Sequence, residues 1–277
     1  MKNILFLTLG LFFTLSFGQR HEIGVFVGGA NVIGDIGKSN YINPAPVPYF
    51  TAERIGRVAY AFGGIYRFNV NPYMGFRFNA LFSRVIGADY SAPEQYKRRR
   101  DYTYKNNIWE ASIVFEYNFL NINDYDGSNH SPFIFAGFGA FMYDKLLYDV
   151  NHSFGRDEFG VIIDPPFIHT EIESSSEKQT MFTMPFGAGY KYKYRNFVIA
   201  AEVGFRYTKT DNLDFSFSDE SDFTFTVEPG LNPDEVNMLN SNIIKSRQVG
   251  NTSNYDWYVF TGLTLTYTFG RPPCYCN

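Results

Sequence analysis

The chain has few of the residues on which redox, metal or nucleic-acid chemistry depends. It holds two cysteines, four histidines and two tryptophans among 277 residues. Its Cys, His and carboxylate residues nowhere adopt the spacing of a metal site. Lys and Arg number 24 against 28 Asp and Glu, which gives a net charge of −4 and no basic surface for nucleic acid. We therefore expect no metal, no cofactor and no nucleic-acid partner.

Long apolar runs are also absent after the first residues, so no transmembrane helix is predicted. The single such run, 4–17, follows Lys2 and precedes the small residue Gly18. A positive start, a short apolar stretch and a small residue before polar sequence are typical of a secretory signal. We predict a signal peptide over 1–18, cleavage after Gly18, and export to an oxidising compartment.

Aromatic residues are abundant, with 30 Phe and 21 Tyr, and they alternate with small or polar residues. In segment 196–208, Phe197, Ile199 and Phe205 share one face, while Glu202 and Arg206 share the other. This pattern fits two architectures. In a soluble sandwich the apolar face is the core, whereas in a membrane barrel it meets lipid and the charged face lines the interior.

The same alternation predicts eight strands. They cover 21–31, 58–69, 73–83, 107–119, 132–144, 180–194, 196–208 and 256–269. In the fifth segment both faces are apolar, and the outward face is predicted to carry Phe133, Phe135, Phe141 and Tyr143, opposite Ile134, Phe138 and Met142. Each segment is long enough to cross a bilayer at a tilt, which takes roughly 9 to 11 residues.

The connections between these strands decide between the two architectures. They run 32–57, 70–72, 87–106, 120–131, 145–179, 195–196 and 209–255, so long and shorter connections alternate. Outer-membrane barrels have this alternation because their periplasmic turns are short and their extracellular loops long. We predict an all-β fold: a closed, eight-stranded antiparallel up-and-down transmembrane β-barrel over 19–270, with long extracellular loops, both termini in the periplasm, and a periplasmic tail over 271–277.

Charged residues recur on the inward faces of the predicted strands. The predicted luminal charge network consists of Arg67, Arg77, Glu110, Glu116, Lys191, Glu202 and Arg206, with Glu22 and Lys193 as further inward charges. An eight-stranded barrel is just wide enough for its own side chains to fill. We therefore favour a packed ion-pair plug over a conducting pore.

Catalytic machinery is not indicated. The four histidines, His21, His130, His152 and His169, lack a framework of nucleophile and base. We predict that the protein is not an enzyme and takes no small-molecule substrate. The run Lys97–Arg100 in an outer loop has two interpretations, namely contact with anionic lipopolysaccharide or pairing within the loop.

The two cysteines, Cys274 and Cys276, lie in the predicted periplasmic tail behind Pro272 and Pro273. One intervening residue leaves an internal disulfide strained. The tail is either inert or a partner-binding segment that forms a thiol-mediated tie to a periplasmic protein.

Several motifs, in order, resemble the PorG-type (DUF6089-like) outer-membrane barrel proteins of Bacteroidetes. The first strand ends in a stretch similar to their G-x-x-N-Y-x-G-D, and later segments are similar to their P-[YF]-x-F-A-G-x-G-x-F and P-F-G-x-G-x-K-Y patterns. The matching residues are 27–37, 64–72, 75–79, 133–141 and 185–192.

This resemblance implies a component of the type IX protein secretion system, which also supports gliding motility in some species. It implies a structural anchor in the outer membrane that contacts a periplasmic ring of the PorK/PorN lipoprotein type. The alternative is an outer-membrane adhesion or binding protein that acts through its long extracellular loops.

Overall fold

The computed structural model describes residues 20–38, 59–124, 128–251 and 254–270. The predicted signal peptide and the tail with Cys274 and Cys276 lie outside these residues. Strands make up most of the described chain. They are β1 (Arg20–Ile33), β2 (Tyr60–Asn69), β3 (Met74–Ala88), β4 (Thr103–Asn118), β5 (His130–Phe154), β6 (Ile168–Tyr194), β7 (Phe197–Thr208), β8 (Phe223–Val227) and β9 (Trp257–Phe269).

Eight of these strands form a hydrogen-bonded ring. Each of β1 to β6 pairs antiparallel with the next strand, and β9 pairs antiparallel with both β7 and β1. The ring therefore confirms the all-β prediction. The remaining strand, β8, lies outside the ring and pairs parallel with β5.

Two strands continue well past the ring. β5 and β6 have 25 and 27 residues, and their pairing runs outward to Phe154↔Ile168. The prediction that 145–179 is a connection was therefore wrong, because most of it is a hairpin. Both faces of β6 are exposed from Glu171 to Lys178, so no apolar alternation marks this part of the strand in the sequence.

Short helices and β8 occupy two of the other predicted connections. Helix α1 (Gln95–Arg100) lies between β3 and β4, and helix α2 (Pro233–Ser246) lies between β8 and β9. Ile243 and Ile244 of α2 pack with Phe223 of β8 against Tyr148 and Val150 of β5. The hairpin thus carries a small apolar core of its own. No helix among the described residues has the length and apolar character needed to cross a bilayer.

Side chains alternate between the two faces of the ring, as expected for strands. On β1 the outward residues Ile23, Val25 and Val27 are exposed and Phe26 is buried. The interior near the long connections is apolar and includes Phe26, Leu81 and Ile108, whereas its middle is charged.

The predicted facing of β5 was wrong. Phe133, Phe135, Phe141 and Tyr143 are buried inside the ring, and Ile134, Phe138 and Met142 are exposed outside it. Alternation alone cannot orient a strand with two apolar faces. The orientation follows from the interior cations, which lie over two of the inward rings.

Candidate functional site

Eight ionisable side chains lie buried together inside the ring, four acidic and four basic. They are Glu22, Arg67, Arg77, Glu110, Glu116, Lys191, Glu202 and Arg206, and each has 7% or less of its surface exposed. The structure therefore brings together all seven residues of the predicted luminal network, with Glu22. Lys193 lies nearer the short-turn end, where its Nζ donates to the carbonyl oxygens of Ile122 and Asp124.

Glu116 is the centre of the largest group. Its Oε2 lies 2.7 Å from Nε of Arg67 and accepts a hydrogen bond of 2.6 Å from Nζ of Lys191. Its Oε1 lies 3.1 Å from Nη1 of Arg77. One buried carboxylate therefore contacts three cations, which come from three different strands.

Two further carboxylates complete this group. Glu22 accepts from Arg67, and also from Nδ2 of Asn69 at 2.7 Å and Oγ1 of Thr266 at 2.8 Å. Glu202 accepts from Nη1 of Arg77 at 2.5 Å. Because a buried charge without a partner costs several kcal/mol, these pairs are needed to keep the cations inside.

A second group lies beside the first. Glu110 accepts hydrogen bonds from Nε of Arg206 at 3.2 Å, from the hydroxyl of Tyr258 at 2.9 Å and from the hydroxyl of Ser112 at 2.8 Å. Arg206 also donates to the carbonyl oxygen of Gly204 at 2.5 Å. With four charges of each sign, these eight groups balance one another.

Aromatic rings cover the interior cations. The guanidinium carbon of Arg77 lies 4.6 Å from the ring centre of Phe135, and Nζ of Lys191 lies 4.3 Å from that of Phe133. Arg206 lies 4.2 Å from the ring centre of Phe260. Such cation–π contacts stabilise a desolvated cation by about 2 kcal/mol.

Glycines opposite β5 make room for these rings. Gly187 is the cross-strand partner of Phe135, and Gly189 that of Phe133. A Cβ atom on either glycine would lie within 2.7 Å of the facing phenyl ring. The motif 185–192 thus supplies the space, and 133–141 supplies the rings that fill it.

An acidic group lies at the end of the ring that carries the long connections. Asp214 accepts from the backbone N–H groups of Asp35 at 2.6 Å and Ile36 at 2.9 Å, and Asp256 accepts from that of Leu213 at 2.9 Å. A Cβ atom on Gly34 would lie 2.5 Å from Oδ2 of Asp214 and 2.6 Å from Oδ1 of Asp256. The motif 27–37 therefore ends beside the carboxylates of Asp214 and Asp256.

Burial raises the pKa of these carboxyl groups. The pKa of Asp256 is well above its usual range because the group is buried and lies near Asp214 and Asp211. Burial likewise raises the pKa of Asp214. Burial, together with the charges of Asp35 and Asp214, raises the pKa of Asp211 to about 7.

The basic run of α1 pairs within its own loop. Arg100 contacts Asp89 through Nε at 2.6 Å, and Nζ of Lys97 donates to the carbonyl oxygen of Gly37 at 3.1 Å. Arg98 donates to the carbonyl oxygen of Ala92 at 2.7 Å. These contacts join the β3–β4 connection to the end of β1.

The histidines do not form a catalytic arrangement among the described residues. His21 and His130 each contact a tyrosine hydroxyl, and His152 contacts the side chains of Thr170 and Asn240. Within the described ranges, no three His, Cys, Asp or Glu residues are placed to hold a metal ion.

The central role of Glu116 can be tested by substitution. Glu116→Gln leaves three buried cations without their shared charge, so we expect the free energy of unfolding to fall by about 3–5 kcal/mol. Urea unfolding of the protein in phospholipid vesicles, followed by the fluorescence of Trp109 and Trp257, measures this change. The exposed Glu171→Gln is the matched control, and equal midpoints for the two variants would contradict the central role.

The acidic group predicts a pH dependence of stability. Because the pKa values of Asp256 and Asp214 are raised on folding, the folded state binds these protons more tightly than the unfolded chain. Its stability should increase as the pH falls from about 8 towards the usual Asp value of about 4. Asp256→Asn should raise the unfolding midpoint at pH 8 and reduce its rise on acidification, whereas the exposed Asp234→Asn should change neither. A variant destabilised equally at both ends of this range would refute the assignment.

Comparisons with known proteins give distant structural similarities and one family. The chain is similar to the attachment invasion locus protein Ail of Yersinia pestis, with 10% identity, a TM-score of 0.40, and coverage of 91% of this chain and 100% of that one. It is also similar to the N-terminal β-barrel domain of Pseudomonas aeruginosa OprF, with 12% identity, a TM-score of 0.36, and coverage of 91% and 98%. Neisserial surface protein A is similar with 9% identity, a TM-score of 0.36, and coverage of 91% of this chain and 95% of that one. Among curated proteins, none matches the sequence.

The family model is described as a domain of unknown function, DUF6089, and it matches residues 1–160 and 223–277. The matched ranges include all the strands of the ring except β6 and β7, and they include the motif 133–141 that supplies the inward phenyl rings. On this match, the chain belongs to the DUF6089 family.

Proposed function

We propose that this protein is an outer-membrane β-barrel with its ring embedded in lipid. The observation that carries the proposal is the distribution of polarity: eight charged side chains are buried inside the ring, and large apolar side chains cover its outside. A soluble protein rarely exposes so large an apolar surface to water. The outward belt includes Ile23, Val25, Val27, Phe62, Phe78, Trp109, Ile113, Phe138, Ile199, Leu263 and Leu265.

Aromatic residues near the short turns support the same placement. Near this end of the ring the exposed aromatic side chains include Phe119, Tyr192, Tyr194, Phe197, Tyr267 and Phe269. Barrels in outer membranes carry such girdles at the boundary between lipid and water. The first residues of β1 and the last residues of β9 also lie at this end, since His21 pairs with Phe269. We propose that this end faces the periplasm.

We further propose that the barrel is a structural anchor of the type IX protein secretion machine, which also drives gliding in some species. The motif resemblance supports this role, because its residues build the filled interior. A filled ring suits an anchor better than a channel. The expected partner is a periplasmic ring of the PorK/PorN lipoprotein type. The expected partner-binding segment is the tail 271–277 with Cys274 and Cys276. No catalytic step is part of this proposal.

Membrane placement can be tested with two valines of equal exposure. Val27 on the belt and Val161 near the tip of the β5–β6 hairpin are each 61% exposed. If the belt faces lipid, Val27→Lys should lower the free energy of unfolding in vesicles by about 2–4 kcal/mol, because a cation near the bilayer midplane is costly. Val161→Lys should change it by less than about 0.5 kcal/mol. Equal effects of the two substitutions would refute the placement.

The anchor role predicts that partner binding depends on the tail. Affinity purification from detergent-solubilised membranes should recover PorK/PorN-type lipoproteins with the full chain and lose them when 271–277 is deleted. Cys274→Ser with Cys276→Ser should retain them if the thiols are dispensable and lose them if the tie is covalent. The exposed Glu158→Gln is the control. Normal type IX secretion in a strain that lacks this protein would overturn the anchor role.

A further inference from the structure

The part of β6 that extends past the ring has a free edge. Within the ring, β6 pairs with β5 on one side and with β7 on the other, and its last pair with β7 in the outward direction is Thr183↔Thr208. From Ile168 to Phe182, β6 pairs only with β5 among the described strands. Every second residue of this stretch therefore turns its backbone N–H and C=O groups away from β5.

The opposite side of the hairpin is different. There β8 pairs with β5, and α2 packs over both strands. The extension is thus a three-stranded sheet with one short edge, β8, and one long edge, 168–182 of β6, which is bare because no other described strand pairs with it. Long bare edges invite pairing with another chain, and native proteins usually shorten, cover or interrupt them.

The side chains along the bare edge are acidic on one face. Glu171, Glu173 and Glu177 lie on the same face of β6, because side chains alternate along a strand. Behind them on β5, Asp149 is the direct cross-strand partner of Glu173. Like charges placed directly opposite each other destabilise a strand pair.

Lys145 of β5 is the direct cross-strand partner of Glu177, but the residues opposite Glu173 and Glu171 are Asp149 and Asn151, so no cation lies opposite this part of the face. Lys145 pairs with Asp222 and Lys178 pairs with Asp144, and no ion pair joins Asp149, Glu171 or Glu173 to any cation in the described part of the chain. The carboxylates instead border a shallow depression of about 200 Å³. The depression is lined by Asp149, Val150, Asn151, Glu171, Glu173 and Thr226.

From these observations we propose that the outer edge of β6 binds an extended segment of another protein that adds as a strand and carries Lys or Arg at alternate positions. Backbone hydrogen bonds to the bare edge supply affinity, as in other cases of strand addition. Basic side chains on the added strand lie beside Glu171 and Glu173 and relieve the repulsion between Glu173 and Asp149. The charge of the edge selects a basic segment over an acidic one.

A second copy of this chain is a poorer occupant. If two β6 edges paired antiparallel about Ser175, Glu173 of each copy would lie opposite Glu177 of the other, which adds like-charge repulsion. The proposal is also independent of the secretion role, since the tail 271–277 and the β6 edge are separate parts of the chain.

The test uses the full-length protein in detergent micelles and a fluorescent peptide that alternates lysine with valine. We expect saturable binding by anisotropy, with little binding of the same peptide carrying glutamate in place of lysine. Two further peptides are N-methylated at alternate peptide bonds, one at the odd and one at the even positions. At least one of them should fail to bind, because its methyl groups replace the N–H donors that face β6. Binding to empty micelles is subtracted.

Protein variants then locate the site. Glu171→Gln with Glu173→Gln should weaken binding about fivefold, as expected for the loss of two exposed ion pairs. Glu220→Gln with Glu235→Gln, which removes the same charge away from the edge, should leave binding unchanged. Equal weakening by both double variants, or undiminished binding of both N-methylated peptides, would overturn the proposal. So would protein self-association that blocks the peptide, which would make a second copy the occupant.

Discussion

The pairing of buried carboxylates with buried cations is the constraint on which the ring depends. Glu116 contacts Arg67, Arg77 and Lys191, and these cations come from β2, β3 and β6. Because each partner is desolvated, removing Glu116 takes the only ion-pair partner of Lys191 among the described residues and one of the two partners of Arg67 and of Arg77. The network therefore joins strands that are far apart in sequence and makes the register of each depend on the others. A shift of one residue in any of these strands would turn its charge outward, away from its partners.

The inward aromatic rings and the glycines opposite them are a second consequence of this constraint. Phe133 and Phe135 occupy the space left by Gly189 and Gly187, and their faces meet Lys191 and Arg77. Phe133 and Phe135 thus stabilise the buried cations by direct contact with their rings. The motifs that looked like separate family signatures in the sequence are two halves of one packing arrangement on adjacent strands.

Much of the ring could be predicted from the sequence, because alternation in β1 to β4, β7 and β9 places mainly small or polar residues on one face and large apolar residues on the other. The strand β5 was turned the wrong way, since Phe133 and Ile134 give equal apolar weight to its two faces. The outer halves of β5 and β6 were missed for a different reason. From Glu171 to Lys178 the strand is polar on both faces, and only its pairing with β5 makes it a strand. The charge pairs Glu116–Arg67 and Glu202–Arg77 required the strand register, which no local pattern contains.

The continuity of β5 and β6 has a mechanical consequence. Each strand runs without interruption from the ring to the distal tip, so the projection has no hinge at its base. At about 3.3 Å per residue, the 25 residues of β5 span roughly 80 Å. A pull applied along the outer hairpin would put β5 and β6 under tension together, and it would load in shear the β4–β5 and β6–β7 hydrogen bonds that hold these two strands in the ring. A molecule that binds the tip of the β5–β6 hairpin can therefore exert force directly on the wall of the ring.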